Sequence, residues 1–312
     1  MKRLFVIGNG FDIHHDLPTR YKNFRDYVKN VDSHVYCTIE ELLKCYCGNQ
    51  NVNDWNEIED NLRLFQNMDY EEVLENDVIS CAEIDMEKSY YWYSPKCLAS
   101  EYVEGISKLE LYFNEWVNSV NVDSATKDSR MNFTSDDVFL TFNYTETLQR
   151  VYNIEERQIR YIHGKNAGDR VFGYNHPSTN TVPLPLTKVP KSWDNEYDAE
   201  IDLRIEDAKR ILNKIPELFE KDCNNIIMQN ISFFDKIKDY NQIIFLGWAL
   251  GKQDGDYMNK ILSEIQNKNV SISVVYYSSD DLNRYHDYFK RREYDDEDVL
   301  YCTWDDVELV FA

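Results

Sequence analysis

The chain has 312 residues, 43% hydrophobic and 29% charged, enough to bury a sizeable core in one large domain or two modest ones. Its 34 basic and 56 acidic residues leave a net charge of −22, which repels phosphate backbones and anionic lipids. Nucleic acid and membrane are thereby excluded as first partners, while a small pocket for one nucleotide stays open.

The first element is an apolar run, Arg3 to Ile7, with turn glycines Gly8 and Gly10 behind it, the pattern of a buried strand. It starts at once, leaving no room for a signal-peptide pattern. No apolar run reaches the roughly eighteen residues of a membrane helix. The seven cysteines are odd in number and scattered, with no CxxC, so they read as reduced thiols and the expected location is cytoplasmic. Cys45 and Cys47 have no second close pair to complete a metal site.

From Thr19 the pattern turns helical, with Tyr21, Phe24, Tyr27 and Val28 at three- and four-residue spacing. No second convincing strand is expected before residue 133, so 19–132 reads as a helical insertion. Strand signals return in "DDVFLTFNY", "RQIRYIHG" and "RVFGYN". "HPSTNTVPLPLTKVP" reads as a loop, and Glu200 to about Lys238 as a long helical stretch. "NQIIFLGWALG", "VSISVVYY" and "VLYCTW" are strands, separated by the helices "DYMNKILSEIQ" and "DDLNRYHDYFKRRE". The alternation predicts an α/β fold with a doubly wound, mainly parallel, Rossmann-like sheet. The expected core is 1–18 plus 133–312, with 19–132 inserted.

In such sheets ligands bind beyond the carboxyl ends of the strands. Gly8-Asn9-Gly10-Phe11-Asp12, Asn143, His163-Gly164 and Gly247 all follow predicted strands, so these segments are expected to converge. GNGFD is half a dinucleotide fingerprint: Ile13 stands where the third glycine belongs. Asp12 reads equally as a ribose ligand or a turn cap. "DIHHD" lacks metalloprotease spacing, so His14 and His15 stay unassigned. Asn143, with Thr141, Tyr144 and Thr145 around it, can both donate and accept. His163 at a strand end fits a general base, while a lone histidine is more often a structural one. His34 and His286 read as surface residues, and His176 sits in the Pro-rich loop. In "WNEIED", Glu57 and Glu59 do not share a helical face.

GNGFD with LPT-x-Y, then FNYTETL, YIHG and LG-x-ALG-xx-D, in this order, resembles the AbiH family of bacterial abortive-infection proteins. Two departures stand out. Asp16 replaces the glycine before Leu17-Pro18, and Gly247-Trp248-Ala249-Leu250-Gly251 stands where the family commonly has Gly-His-Ser-Leu-Gly. The same segments are more distantly similar to the NAD-binding core of sirtuin-like proteins, without their four-cysteine zinc module. That resemblance implies NAD as substrate or ligand, no other cofactor and no metal, and hydrolysis to nicotinamide and ADP-ribose. It implies Asn143 and His163 as catalytic residues. Gly8, Asn9 and Gly10 would face phosphate and ribose, and Gly247 and Leu250 the adenosine half. Phe11, Asp12, Thr141, Tyr144, Gly164 and Asp254 complete the implied binding set. The family's Trp-x-x-hydrophobic-Glu stretch would aim Glu59 at the cleft. The alternative is a non-catalytic nucleotide sensor or toxin subunit that meets a defence partner, or another copy of itself, through the helical insertion. A phosphodiester-cleaving toxin fits less well, for want of a carboxylate metal cluster.

Overall fold

The computed structural model describes residues 2–47, 55–56, 58–64, 88–175, 206–266, 268–295 and 297–311. By internal contacts the chain divides into two compact units. One is Met1–Phe24, Phe113–Phe172 and Asp222–Ala312, and the other is Arg25–Tyr112 and Gly173–Lys221. The sequence division at residues 18 and 132 differs from this one, because Gly173–Lys221 groups with the helices.

The first unit holds strands β1 (Arg3–Ile7), β2 (Val138–Thr141), β3 (Ile159–Tyr161), β6 (Gln242–Leu246), β7 (Ser271–Tyr276) and β8 (Val299–Thr303). They form one sheet in the order β3-β2-β1-β6-β7-β8, and every pairing is parallel. This is the Rossmann-like α/β architecture. Central strands are apolar on both sides because both faces are covered. Leu4, Val6, Leu140, Ile243, Phe245 and Val274 enter one buried cluster, and Phe5, Ile7, Phe139, Ile244, Leu246 and Val275 the other. In register, Phe5 lies between Phe139 and Ile244. The chain leaves β1 toward β2 and β3 on one side, and β6, β7 and β8 fill the other. The switch point therefore lies between β1 and β6, where open α/β sheets offer a ligand crevice.

Helices α1 (Asn9–His14), α6 (Thr147–Tyr152), α7 (Cys223–Gln229), α8 (Ile231–Phe234), α9 (Gly255–Ile265) and α10 (Ser279–Lys290) belong to this unit, with the start of α2 (Tyr21–Val31) and the end of α5 (Lys88–Ser119). α10 opens on a capping box: Ser278 Oγ accepts from Asp281 N at 3.2 Å and Asp281 accepts from Ser278 N.

The second unit holds the rest of α2, then α3 (Ser33–Cys47), α4 (Ile58–Leu64) and most of α5, with β4 (Tyr174–Asn175) paired parallel to β5 (Glu220–Lys221). "RVFGYN" thus supplies a strand to this small sheet. The expected long helix after Glu200 is a helix over 206–212, a 3-10 turn at Pro216–Phe219, then β5 and the short helices α7 and α8. Pro216 interrupts it, and Asp222 caps α7 by accepting from Asn225 N. Glu40 accepts from Trp55 Nε1 at 2.8 Å and Arg25 Nε at 2.9 Å. No described helix is long and apolar enough to cross a membrane.

The β1 and β6 turns touch backbone to backbone. Gly8 N donates to Leu246 O at 3.1 Å and Gly10 N to Gly247 O at 2.7 Å. A Cβ on Gly8 would lie 2.3 Å from Trp248 Cα, and one on Gly10 would lie 2.7 Å from Gly247 Cα. Gly247 itself has φ +61°, and its Cβ would lie 2.5 Å from Gly10 C. Gly10→Ala is expected to cost about 1–3 kcal/mol or more, because rigid backbone must move, and to lower the melting temperature by roughly 3–12 °C. Thermal unfolding followed by circular dichroism measures this; an unchanged midpoint would contradict the tight approach.

Candidate functional site

Asp12 lies on α1 with its carboxylate turned inward and 1% of the residue exposed. Thr145 Oγ1 donates to Oδ2 at 2.5 Å and Thr147 Oγ1 to Oδ1 at 2.7 Å. Thr145 lies in the turn that leads from β2 into α6, and Thr147 is the first residue of α6. Burial outweighs these hydrogen bonds, so the Asp12 carboxyl is raised from the usual 3.8 to about 6. Asn143 also lies close enough to favour the charged form. Its backbone N–H donates to Thr141 Oγ1 at 3.1 Å, which holds the residue against the end of β2. The Asn143 side chain is buried, yet neither Nδ2 nor Oδ1 has a hydrogen-bond partner of normal geometry among the described residues. A buried amide left so costs about 1–3 kcal/mol, and in native structures such a group calls for an explanation.

A second polar group stands at the end of β3. His163 is 5% exposed, with Nε2 3.7 Å from Asp254 Oδ1. Asp254 Oδ2 accepts from Trp248 Nε1 at 3.3 Å. Phe142 stacks on Trp248 at 4.5 Å and meets His163 edge-on at 5.2 Å. The Tyr144 ring lies 6.1 Å from the imidazole, and its hydroxyl donates to Val171 O. Phe142 and Tyr144, which flank Asn143, therefore both pack on His163.

The other expected site residues have varied surroundings. Gly8, Gly10 and Gly247 form the turn contact described above. Asn9 Nδ2 donates to Thr19 O at 2.7 Å, pinning the chain behind α1. Phe11 and Leu250 are buried in the apolar clusters, Leu250 at φ +51°. Gly164 takes φ +78°. His14 stacks on Trp304 at 4.2 Å with Nε2 2.9 Å from Asp128. His15 Nδ1 donates to Phe11 O at 2.6 Å, which leaves Nε2 to accept from the Tyr152 hydroxyl at 2.6 Å. Burial holds His15 below the usual histidine range, in keeping with that neutral ring. Both histidines are thus committed to packing. His34 is exposed beside Glu101, and His286 stacks on Tyr301.

Glu59, in the second unit, is buried with its carboxylate 3.8 Å from the buried Lys221 Nζ. Among the described residues no three His, Cys, Asp or Glu side chains gather as a metal site would require. His176, Glu57, Cys81, the Pro-rich loop and the side chains of Cys45 and Cys47 lie outside the described residues. Thr147 and the link from Trp248 to Asp254 escaped the sequence reading. A threonine at a helix start signals only a cap, and the tryptophan gives no sign of which carboxylate its N–H reaches.

A family model described as bacteriophage abortive infection AbiH matches residues 4–276. No curated protein and no solved structure matches the chain.

The raised Asp12 carboxyl has a stability consequence. The folded state holds this proton more tightly than the unfolded chain, so its contribution is fully present below about pH 4. It is lost as pH rises through about 6. Asp12→Asn is expected to match the wild type near pH 4 and to exceed it by up to roughly 3 kcal/mol at pH 8. Urea unfolding at the two pH values measures the difference; a variant less stable at pH 8 would contradict the account.

Proposed function

The chain belongs to the AbiH family of bacteriophage abortive infection proteins, and on that premise we propose that its sheet unit binds a nucleotide and hydrolyses NAD to nicotinamide and ADP-ribose. The reading rests above all on the buried Asn143 carboxamide at the carboxyl end of β2, whose Nδ2 and Oδ1 have no hydrogen-bond partner of normal geometry among the described residues. The strand order adds support, since its switch point lies at the neighbouring β1.

In this reading the bond between the ribose anomeric carbon and the nicotinamide nitrogen breaks with oxocarbenium character. Its electron pair neutralises the pyridinium ring, and nicotinamide leaves. A water oxygen then bonds to the anomeric carbon and its proton passes to His163. Asp254, 3.7 Å from Nε2, favours the imidazolium so formed. Asn143 accepts from the water or a ribose hydroxyl through Oδ1 and donates through Nδ2, fixing the attacking geometry. Asn9 and Thr141 brace the turns that carry these groups.

Nicotinamide release by the purified protein, and NAD levels in phage-challenged cells that express it, test the proposal together. Asn143→Ala and His163→Ala are each expected to lower turnover by about 100-fold or more. Turnover that survives both substitutions would remove these residues from the reaction. Nucleotide binding without turnover in either setting would leave a sensor.

A further inference from the structure

Asp12 is nearly inaccessible, with one threonine hydroxyl on each carboxylate oxygen. A ribose hydroxyl would have to displace part of this arrangement to reach it. Each oxygen nevertheless keeps a further lone pair when ionised, and the Asn143 amide, which has no hydrogen-bond partner of normal geometry among the described residues, lies close enough to favour the charged carboxylate. An amide has two orientations that exchange donor for acceptor, and a neighbouring carboxylate distinguishes them.

We propose that Asp12 is a positioning residue that acts through Asn143: its carboxylate, anchored by Thr145 and Thr147, takes the Asn143 Nδ2–H and turns Oδ1 toward the ligand. The threonines are donors only toward a carboxylate and hold it in one rotamer. A protonated Asp12 loses an acceptor position and releases the amide. The inference shares the site, and only its last step toward the ligand depends on the proposed hydrolysis.

The surrounding charged groups leave Asp12 as the titrating member of this pair. On α1 and just beyond it, His14 and His15 are engaged with Asp128 and Tyr152, and Asp16 follows. From β3, the Tyr161 hydroxyl donates to Gln149 and is pushed up to about 12. Glu146, between the two threonines, pairs with Lys165 at 2.9 Å. His163 and Asp254 form the separate group at the β3 and β6 ends.

The test reads the Asn143 side-chain amide directly, by selective asparagine labelling and NMR between pH 4.5 and 8, in the ligand-free wild type, Asp12→Asn and Thr147→Val. The wild-type amide is expected to titrate with a midpoint near pH 6. The transition should vanish in Asp12→Asn and move to higher pH in Thr147→Val, which removes one donor to the charged form. An Asn143 amide that stays flat, or that still titrates near 6 in Asp12→Asn, overturns the inference. In parallel, the pH profile of NAD turnover is expected to lose its limb near 6 in Asp12→Asn, with kcat falling more than KM changes. A limb that persists there counts against Asp12. If the wild type turns over no NAD, the amide titration still decides this inference, while the proposed hydrolysis fails separately.

Discussion

The contact between the β1 and β6 turns sets the terms for everything at the carboxyl edge of the sheet. Two backbones meet where side chains normally keep strands and loops apart, and Gly8, Gly10 and Gly247 make the approach possible. The Gly10 N–H is spent on Gly247 O, so this amide holds the turn closed. α1 can then start immediately beyond β1, and its fourth residue, Asp12, is delivered against Thr145 and Thr147. Trp248, fixed by the same contact, is delivered against Phe142 and Asp254. A half-complete glycine fingerprint has in this way a mechanical meaning that does not depend on a phosphate.

The site is expensive. Asp12 is buried without a cation partner among the described residues, and its threonine partners recover only part of the desolvation, which is why its proton is held to about pH 6. Asn143 adds a buried amide without a hydrogen-bond partner among the described residues. The apolar clusters on both sheet faces contain none of these polar groups and supply the stability that offsets them. Unspent hydrogen-bonding capacity at the carboxyl edge of the sheet is the physical pattern expected of a place where a polar ligand completes the structure.

Legibility from sequence followed periodicity. The six strands of the main sheet announced themselves, because a strand buried on both faces reads as an apolar run whatever its neighbours. β4 was legible within "RVFGYN", but β5, two residues long in a stretch that reads as helical, was not. Their pairing is a tertiary event that Tyr174 and Glu220 do not encode locally. Asn143 and His163 could be picked out because strand ends are few and polar residues there are conspicuous. The partners could not: Thr147 reaches Asp12 across 135 positions, and no spacing rule links them. The histidine pair shows the opposite failure. His14 and His15 drew attention as reactive types, yet one stacks on Trp304 and the other is locked between Phe11 O and Tyr152.

The departure in the β6 turn gains a physical reading from the same geometry. Trp248 stands where the resemblance leads one to expect histidine, and it is 3% exposed. Its indole carries one N–H, directed to Asp254 Oδ2, while Asp254 Oδ1 faces His163. An imidazole at this position would also present an N–H toward that carboxylate, but one that can ionise or change tautomer. Indole can do neither. The indole at this position therefore gives Asp254 a donor that carries no titrating charge of its own. The larger ring also fills the space against Phe142 and Phe245, stacked on both.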